Sequence, residues 1–194
     1  MGDKSGNPAS FKIYELRFNR IVGRNVLYNQ NDKALFLKTL SKWISAEGFM
    51  ILTENVPSLG QRLSNLISQD SLDFELREKL ILAEEEIYNN PQNPRCNWTP
   101  ETLQDQLEAE NWSFDCWHVK EYSTPILIRK EHVEQWFNAQ PEKQYGYLYE
   151  LSSFISKQEL QVLKECFRKE IVGKVVEWRS VCLFMRLIKN LSNE

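Results

Sequence analysis

FNRIVGRNVLYNQNDKALFLKTLSKWISAEGFMILTEN, residues 18 to 55, decides how this chain is read: strand, polar turn, helix and second strand follow one another there without interruption. Phe18 to Val22 is short and rich in aliphatics, and it ends in Gly23-Arg24-Asn25, where a parallel strand opens into a loop. Asn31 or Asp32 is placed to cap the helix that follows. Leu37, Leu40 and Ile44 recur there at spacings of three and four, with Phe36 and Trp43 alongside, so the helix has one apolar side. Gly48 reads as the break after it. Phe49-Met50-Ile51-Leu52 then reads as a strand covered on both faces, ending in Thr53-Glu54-Asn55. The expectation is two parallel strands joined by a helix, with ligand-facing loops beyond their carboxyl ends.

Working outward, 194 residues with 42% hydrophobic content suffice for one domain with a core. The net charge of -3 argues against a general nucleic-acid surface, which needs clustered Lys and Arg in excess, although a local basic patch stays open. Cys96, Cys116, Cys166 and Cys182 are far apart, and His118 and His132 are the only histidines. Reduced thiols are therefore expected, and no metal site. No apolar run is long enough to span a bilayer and the first residues are too polar for a signal peptide, so the expected location is the cytoplasm.

Residues 1 to 10 form a polar tail expected to be disordered, and Phe11 to Leu16 leads into the first strand. Leu59, Leu63, Leu66 and Ile67 recur at the spacing of a short helix, on which Arg62 reads as exposed. Phe74 to Tyr88 is a strong helical pattern with Leu76, Leu80, Ala83 and Ile87 on one face and Glu84-Glu85-Glu86 read as solvated. Thr99-Pro100-Glu101 starts a helix running to about Glu110. Trp112 to Tyr122 has the content of a strand, Pro125 interrupts it, and Ile126 to Ile128 is a separate extended piece. Lys130 to Phe137 fits a helix, and Gln144 to Phe154 is ambiguous. Ser156 and Glu159 form a capping box that opens a helix to about Val172, ended by Gly173. Val175 to Ile188 is the last strand. His118 reads as a hydrogen-bonded structural histidine, and the six tryptophans as packing residues.

With residues 18 to 55 laid beside this order, the chain resembles, over most of its length from Phe18 onward, the C-terminal half of a class I S-adenosylmethionine-dependent methyltransferase. In that family the fourth strand ends in a polar motif facing the methyl-transfer site, and a helix leads to a fifth strand preceded by a glycine. Its last two strands form an antiparallel pair at the sheet edge. Arg24-Asn25-Val26-Leu27, then Gly48 and Phe49 to Glu54, carry the likeness, and the RNVL run is similar to the matching stretch of chemotaxis-receptor methyltransferases. Val56 to Leu63, Ala83 to Tyr88 and Asn97-Trp98 are similar to the methyltransferase-like extension carried at the C-terminus by some bacterial replication-associated AAA+ ATPases of the RarA/MgsA type.

The resemblance implies an α/β fold: a partial Rossmann-like sheet of two parallel strands plus a C-terminal antiparallel pair, with inserted helices, in one half-domain over residues 11 to 194. It places Gly23, Arg24, Asn25 and Val26 on the cofactor side and Glu54 and Asn55 on the substrate side, and it names no catalytic residue. The seven glycines include no GxG, and no GxxxxGK[ST] occurs, so neither a nucleoside-cofactor loop nor ATPase machinery is encoded here. S-adenosylmethionine is therefore expected only with a complementing N-terminal half, and none alone. Without the first strand of such a sheet, Phe18 to Val22 is an unpaired apolar edge, so the expected partner is that half or a second copy, with an AAA+ ATPase as a further candidate. The alternatives are a catalytically silent interaction domain associated with such an ATPase, or a truncated gene product.

Overall fold

A computed structural model describes residues 17–138 and 146–189. The expected tail over residues 1–10 and the lead-in from Phe11 lie outside the described residues. The opening unit is β1 (Phe18–Arg24), α1 (Lys33–Ser41) and β2 (Ile44–Asn55). Asp32 is the cap, its carboxylate accepting from Leu35 N at 2.8 Å. Gly48 lies inside β2 and does not end the helix, and Ile44 belongs to the strand. The reason is a bulge: Phe18 pairs with Ile44 and Arg20 with Phe49, so β2 carries extra residues across that step. A Cβ at position 48 would sit 2.4 Å from Ile44 Cγ2 and 3.0 Å from the Phe18 carbonyl oxygen, so close backbone approach is what this glycine permits.

The helix expected over residues 59 to 67 is replaced by two short 3₁₀ turns, Pro57–Leu59 and Leu63–Leu66. The N–H groups of Leu63 and Ser64 bond to the Glu84 carboxylate in place of preceding carbonyls, which diverts the backbone from a regular helix. Next come α2 (Phe74–Tyr88) and α3 (Pro100–Ala109), capped by Asp73 and by a Thr99–Thr102 capping box. β3 (Trp112–Leu127) runs unbroken through Pro125, because it is the outer strand of the sheet, where a missing N–H is tolerated. The remaining elements are α4 (Lys130–Phe137), α5 (Tyr147–Leu151), α6 (Lys157–Ile171), capped by the Ser156–Glu159 box, and β4 (Val175–Lys189). Between the last two, Gly173 turns at φ 82°.

The sheet order is β1-β2-β4-β3, with β1 parallel to β2 and β4 antiparallel to both its neighbours. This is a mixed α/β sheet of two parallel strands plus an antiparallel pair formed by the last two strands. Two apolar cores hold it. One packs Leu37, Leu103 and Leu107 of α1 and α3 on Met50, Leu52, Leu183, Met185 and Leu187. The other gathers α2, α4, α5 and α6 around Leu80, Leu151, Leu163 and Phe167, against Ile126, Val176 and Trp178 of the sheet. β2 is covered on one face only: Met50 and Leu52 are buried, whereas Ile51 between them is 40% exposed. The expectation of cover on both faces fails for that reason. Among the described residues no helix is long and apolar enough to cross a membrane, no group of metal-ligating side chains forms, and the four cysteines are free.

Candidate functional site

The carboxyl ends of β1 and β2 come together through a cluster of hydrogen bonds. Asn25 has φ 53°, a left-handed conformation that Asn tolerates better than most residues. Its N–H donates to the Thr53 carbonyl and its Oδ1 accepts from Asn55 N, both at 2.9 Å. Glu54 is 2% exposed; Oε1 accepts from Val26 N at 2.9 Å and Oε2 from Leu27 N at 3.2 Å. Burial raises its carboxyl above the usual range, and the two backbone bonds and the Lys33 charge oppose that rise. Gly23 is held to its type by packing, since an added Cβ would lie 2.7 Å from Val26 Cγ1 and 3.0 Å from Leu52 Cδ2.

Gly23, Arg24, Asn25, Val26, Glu54 and Asn55 thus meet at one edge of the sheet. The hydrogen-bonding capacity of most of them is turned inward. Asn25 Oδ1 and both oxygens of Glu54 are bonded to backbone N–H groups, and Asn55 Oδ1 accepts from Cys182 Sγ at 3.3 Å. Arg24 is exposed and makes no ion pair among the described residues. A nucleoside cofactor needs a glycine-lined approach for its charged or polar groups and an available acceptor for its ribose hydroxyls. The acceptors at this edge are occupied, and Gly23 is filled in by Val26 and Leu52. Among the described residues, the polar atoms of this turn thus serve to hold β1 against β2.

Two charges that the sequence does not mark as buried are Lys33, beside this edge, and Glu84, in the other half of the molecule. Lys33, 3% exposed, donates its three ammonium hydrogens to Gln30 O at 2.9 Å, Pro94 O at 2.9 Å and Asn97 Oδ1 at 2.7 Å. It fastens the loop before α3 to the start of α1, while burial pulls its pKa down to about 8. Glu84, read as solvated, is 1% exposed; it accepts from Leu63 N at 2.8 Å, Ser64 N at 3.2 Å and Tyr147 Oη at 2.9 Å, and from Ser64 Oγ. No composition signal marks either residue, because their partners are backbone groups and side chains distant in the chain.

Arg62 also departs from expectation. Its side chain is 15% exposed, its guanidinium stacks 3.8 Å over the Tyr88 ring, and it donates to the Ser58 carbonyl at 2.8 Å. It pins the 3₁₀ segment to α2. His118 stands exposed on β3 opposite Phe184 and makes no hydrogen bond among the described residues, so it is not a bonded structural histidine.

A scan against protein-family models finds no match, and a search of curated proteins finds no relative. Among solved structures, this chain is similar to a putative methyltransferase from Bacillus halodurans, at 17% identity and a TM-score of 0.46, over 89% of this chain and 64% of that one. It is also similar to the YcgJ protein of Bacillus subtilis, at 11% identity and a TM-score of 0.43, over 94% of this chain and 68% of that one. The cyclopropane synthase MmaA2 of Mycobacterium tuberculosis matches at 16% identity and a TM-score of 0.34, over 89% of this chain and 56% of the other. The chain thus spans less than two thirds of the first and third of these structures.

Proposed function

We propose that these residues form the second half of a class I methyltransferase-like unit, inactive alone, which completes an S-adenosylmethionine site with a first half that they do not include. The observation that supports this reading best is the sheet order β1-β2-β4-β3. Two parallel strands joined through α1 are followed by the antiparallel pair at the sheet edge that the sequence resemblance implies. In this reading Gly23, Arg24, Asn25 and Val26 form the wall of the cofactor site contributed by β1, and Glu54 and Asn55 shape the substrate side of the same edge. Asn25 and Glu54 act by holding the turn, since their acceptors are already bonded, and Arg24 is the side chain available to a ligand. When bound, the cofactor would supply an electrophilic methyl group; this chain's part is to position the turn beside it. Four unpaired thiols suit a reducing, cytoplasmic setting.

The test is calorimetric titration with S-adenosylmethionine. The chain alone is expected to show no binding up to about 1 mM, that is, no more than about 4 kcal/mol of binding free energy. Adding a glycine-rich first half should bring micromolar binding, and micromolar binding by the chain alone overturns the reading.

The second reading is a catalytically silent interaction domain, associated with a RarA/MgsA-type AAA+ ATPase. The inward-turned acceptors of Asn25 and Glu54 favour it. Under it, no added first half restores cofactor binding.

A further inference from the structure

The side of the sheet turned away from α1 and α3 is covered over only part of its length. Where β3 and β4 run past the ends of β1 and β2, Ile126, Val176 and Trp178 pack into the cluster of α2, α4, α5 and α6. Nearer β1 the cover stops: Val22 is 74% exposed and Ile51 40%. Register puts Arg20 opposite Phe49, Val22 opposite Ile51, Ile51 opposite Arg186, and Thr53 opposite Phe184. Directly opposed residues share a face, so these side chains form one continuous patch.

Its charge is unlike that of the chain as a whole. Arg20 and Arg186 lie over the Phe49 ring at 5.4 and 4.1 Å, and Lys120 lies over Tyr122 at 4.9 Å on the same face. Arg186 is paired with Asp115 at 2.5 Å, but Arg20, Arg24 and Lys120 have no carboxylate partner among the described residues. A chain of net charge -3 thus gathers cations that are unpaired among the described residues on a partly apolar sheet face that the described residues leave open. Beside that face, β1 is the outermost strand on its side among the described residues, parallel to its neighbour. Parallel strands are normally covered on both faces, and an unpaired strand is a template for another.

We propose that this face and the β1 edge receive another polypeptide, which adds a strand to β1 and lays an acidic amphipathic helix over Val22, Ile51 and Arg20. A strand takes up backbone groups that nucleic acid does not match, and carboxylates answer the cations. A second copy joined edge to edge would gather the arginines of both β1 strands along one seam and leave the face open. The proposal rests on the methyltransferase-like reading only for the origin of the partner, since the face needs cover whether or not S-adenosylmethionine is bound.

The test uses the full chain, a fluorescent hydrophobic dye and two synthetic helical peptides of about sixteen residues. Both carry leucines along one face; one has glutamate and the other lysine at the remaining positions. The glutamate helix is expected to displace the dye about ten-fold more tightly than the lysine helix at low salt. The double variant Arg20→Glu, Lys120→Glu is expected to lose that preference while still binding the lysine helix, an outcome that misfolding would not produce. Equal binding of the two peptides, or no displacement by either, overturns the proposal. So does a dimer by light scattering at tens of micromolar with β1 amides protected from exchange, or tighter binding of a single-stranded oligothymidine than of the acidic helix. None of these outcomes depends on the cofactor titration, so either idea can fail while the other stands.

Discussion

Replacing Glu84 by alanine should be among the most damaging single changes in this chain. The carboxylate is 1% exposed, and the groups it serves, Leu63 and Ser64, are themselves 5% and 4% exposed, so water cannot substitute. Glu84→Ala leaves two backbone N–H groups and the Tyr147 hydroxyl without their acceptor. Each buried orphan costs about 1–3 kcal/mol, so the two backbone groups alone come to about 2–6 kcal/mol. Total stability is roughly 5–15 kcal/mol, which makes this a large fraction. Glu84→Gln keeps the volume and one acceptor but turns an amide nitrogen toward a donor, and about 1–3 kcal/mol is expected. Glu86→Ala, on the exposed side of α2, should stay within about 0.5 kcal/mol. Thermal melts followed by circular dichroism read the difference. At about 2–4 °C per kcal/mol for a chain of this size, the middle of the alanine range is a loss of roughly 8–16 °C in Tm. A Glu84→Ala melt within about 2 °C of both the parent and Glu86→Ala would refute the reasoning.

Three further outcomes follow from the opening unit. Gly48→Ala presses a methyl against Ile44 and the Phe18 carbonyl, so it should cost about 1–3 kcal/mol and speed amide exchange at Phe18 to Arg20; unchanged exchange there would show that the bulge adapts freely. Asn25→Gly keeps the left-handed backbone and loses one hydrogen bond, for about 0.5–1.5 kcal/mol, whereas Asn25→Ala adds strain and should cost about 1 kcal/mol more in urea denaturation. The pH dependence of stability carries a signature of Lys33. Its amine holds a proton up to the ordinary 10.5 when unfolded but releases it near 8 when folded, so stability should rise with pH between those values, by at most about 1.4 kcal/mol per unit. Above pH 9 the Cys96 thiol, pushed up to about 11, and the Tyr88 phenol, pushed up to about 12, act in the opposite sense, so pH 8 to 9 is the window to examine. Lys33→Met should remove the rise there, and an equal slope in parent and variant would count against it.

Local signals were the ones readable in the amino-acid order. The Thr99-Pro100 start, the Ser156–Glu159 box, the stop at Gly173 and the apolar stripe of α2 all appear where their chemistry places them, because each depends on residues within a turn or two. The failures share a different cause. A glycine that ends a helix and one that admits a neighbouring strand at a bulge are the same letter, and Gly48 is the second kind. Pro125 reads as a break unless its strand is known to be the outer one. Glu84 and Lys33 are buried because loops 20 and 61 residues away in sequence bring backbone acceptors or donors to them. At the candidate site, the meeting of the β1 turn with Glu54 and Asn55 was visible from the strand–helix–strand order. The consumption of their polar atoms was not, since it depends on the left-handed turn at Asn25.

The β3–β4 pair has a consequence for how the molecule comes apart. Its ladder runs from Leu127 opposite Val175 to Trp112 opposite Lys189, and it passes through both apolar clusters, with Val176 and Trp178 in one and Leu183, Met185 and Leu187 in the other. Neither cluster can melt without stripping half of a ribbon whose other half is still anchored. Although the chain has two hydrophobic centres, it should therefore unfold in a single cooperative transition, with far-ultraviolet and tryptophan signals superimposing.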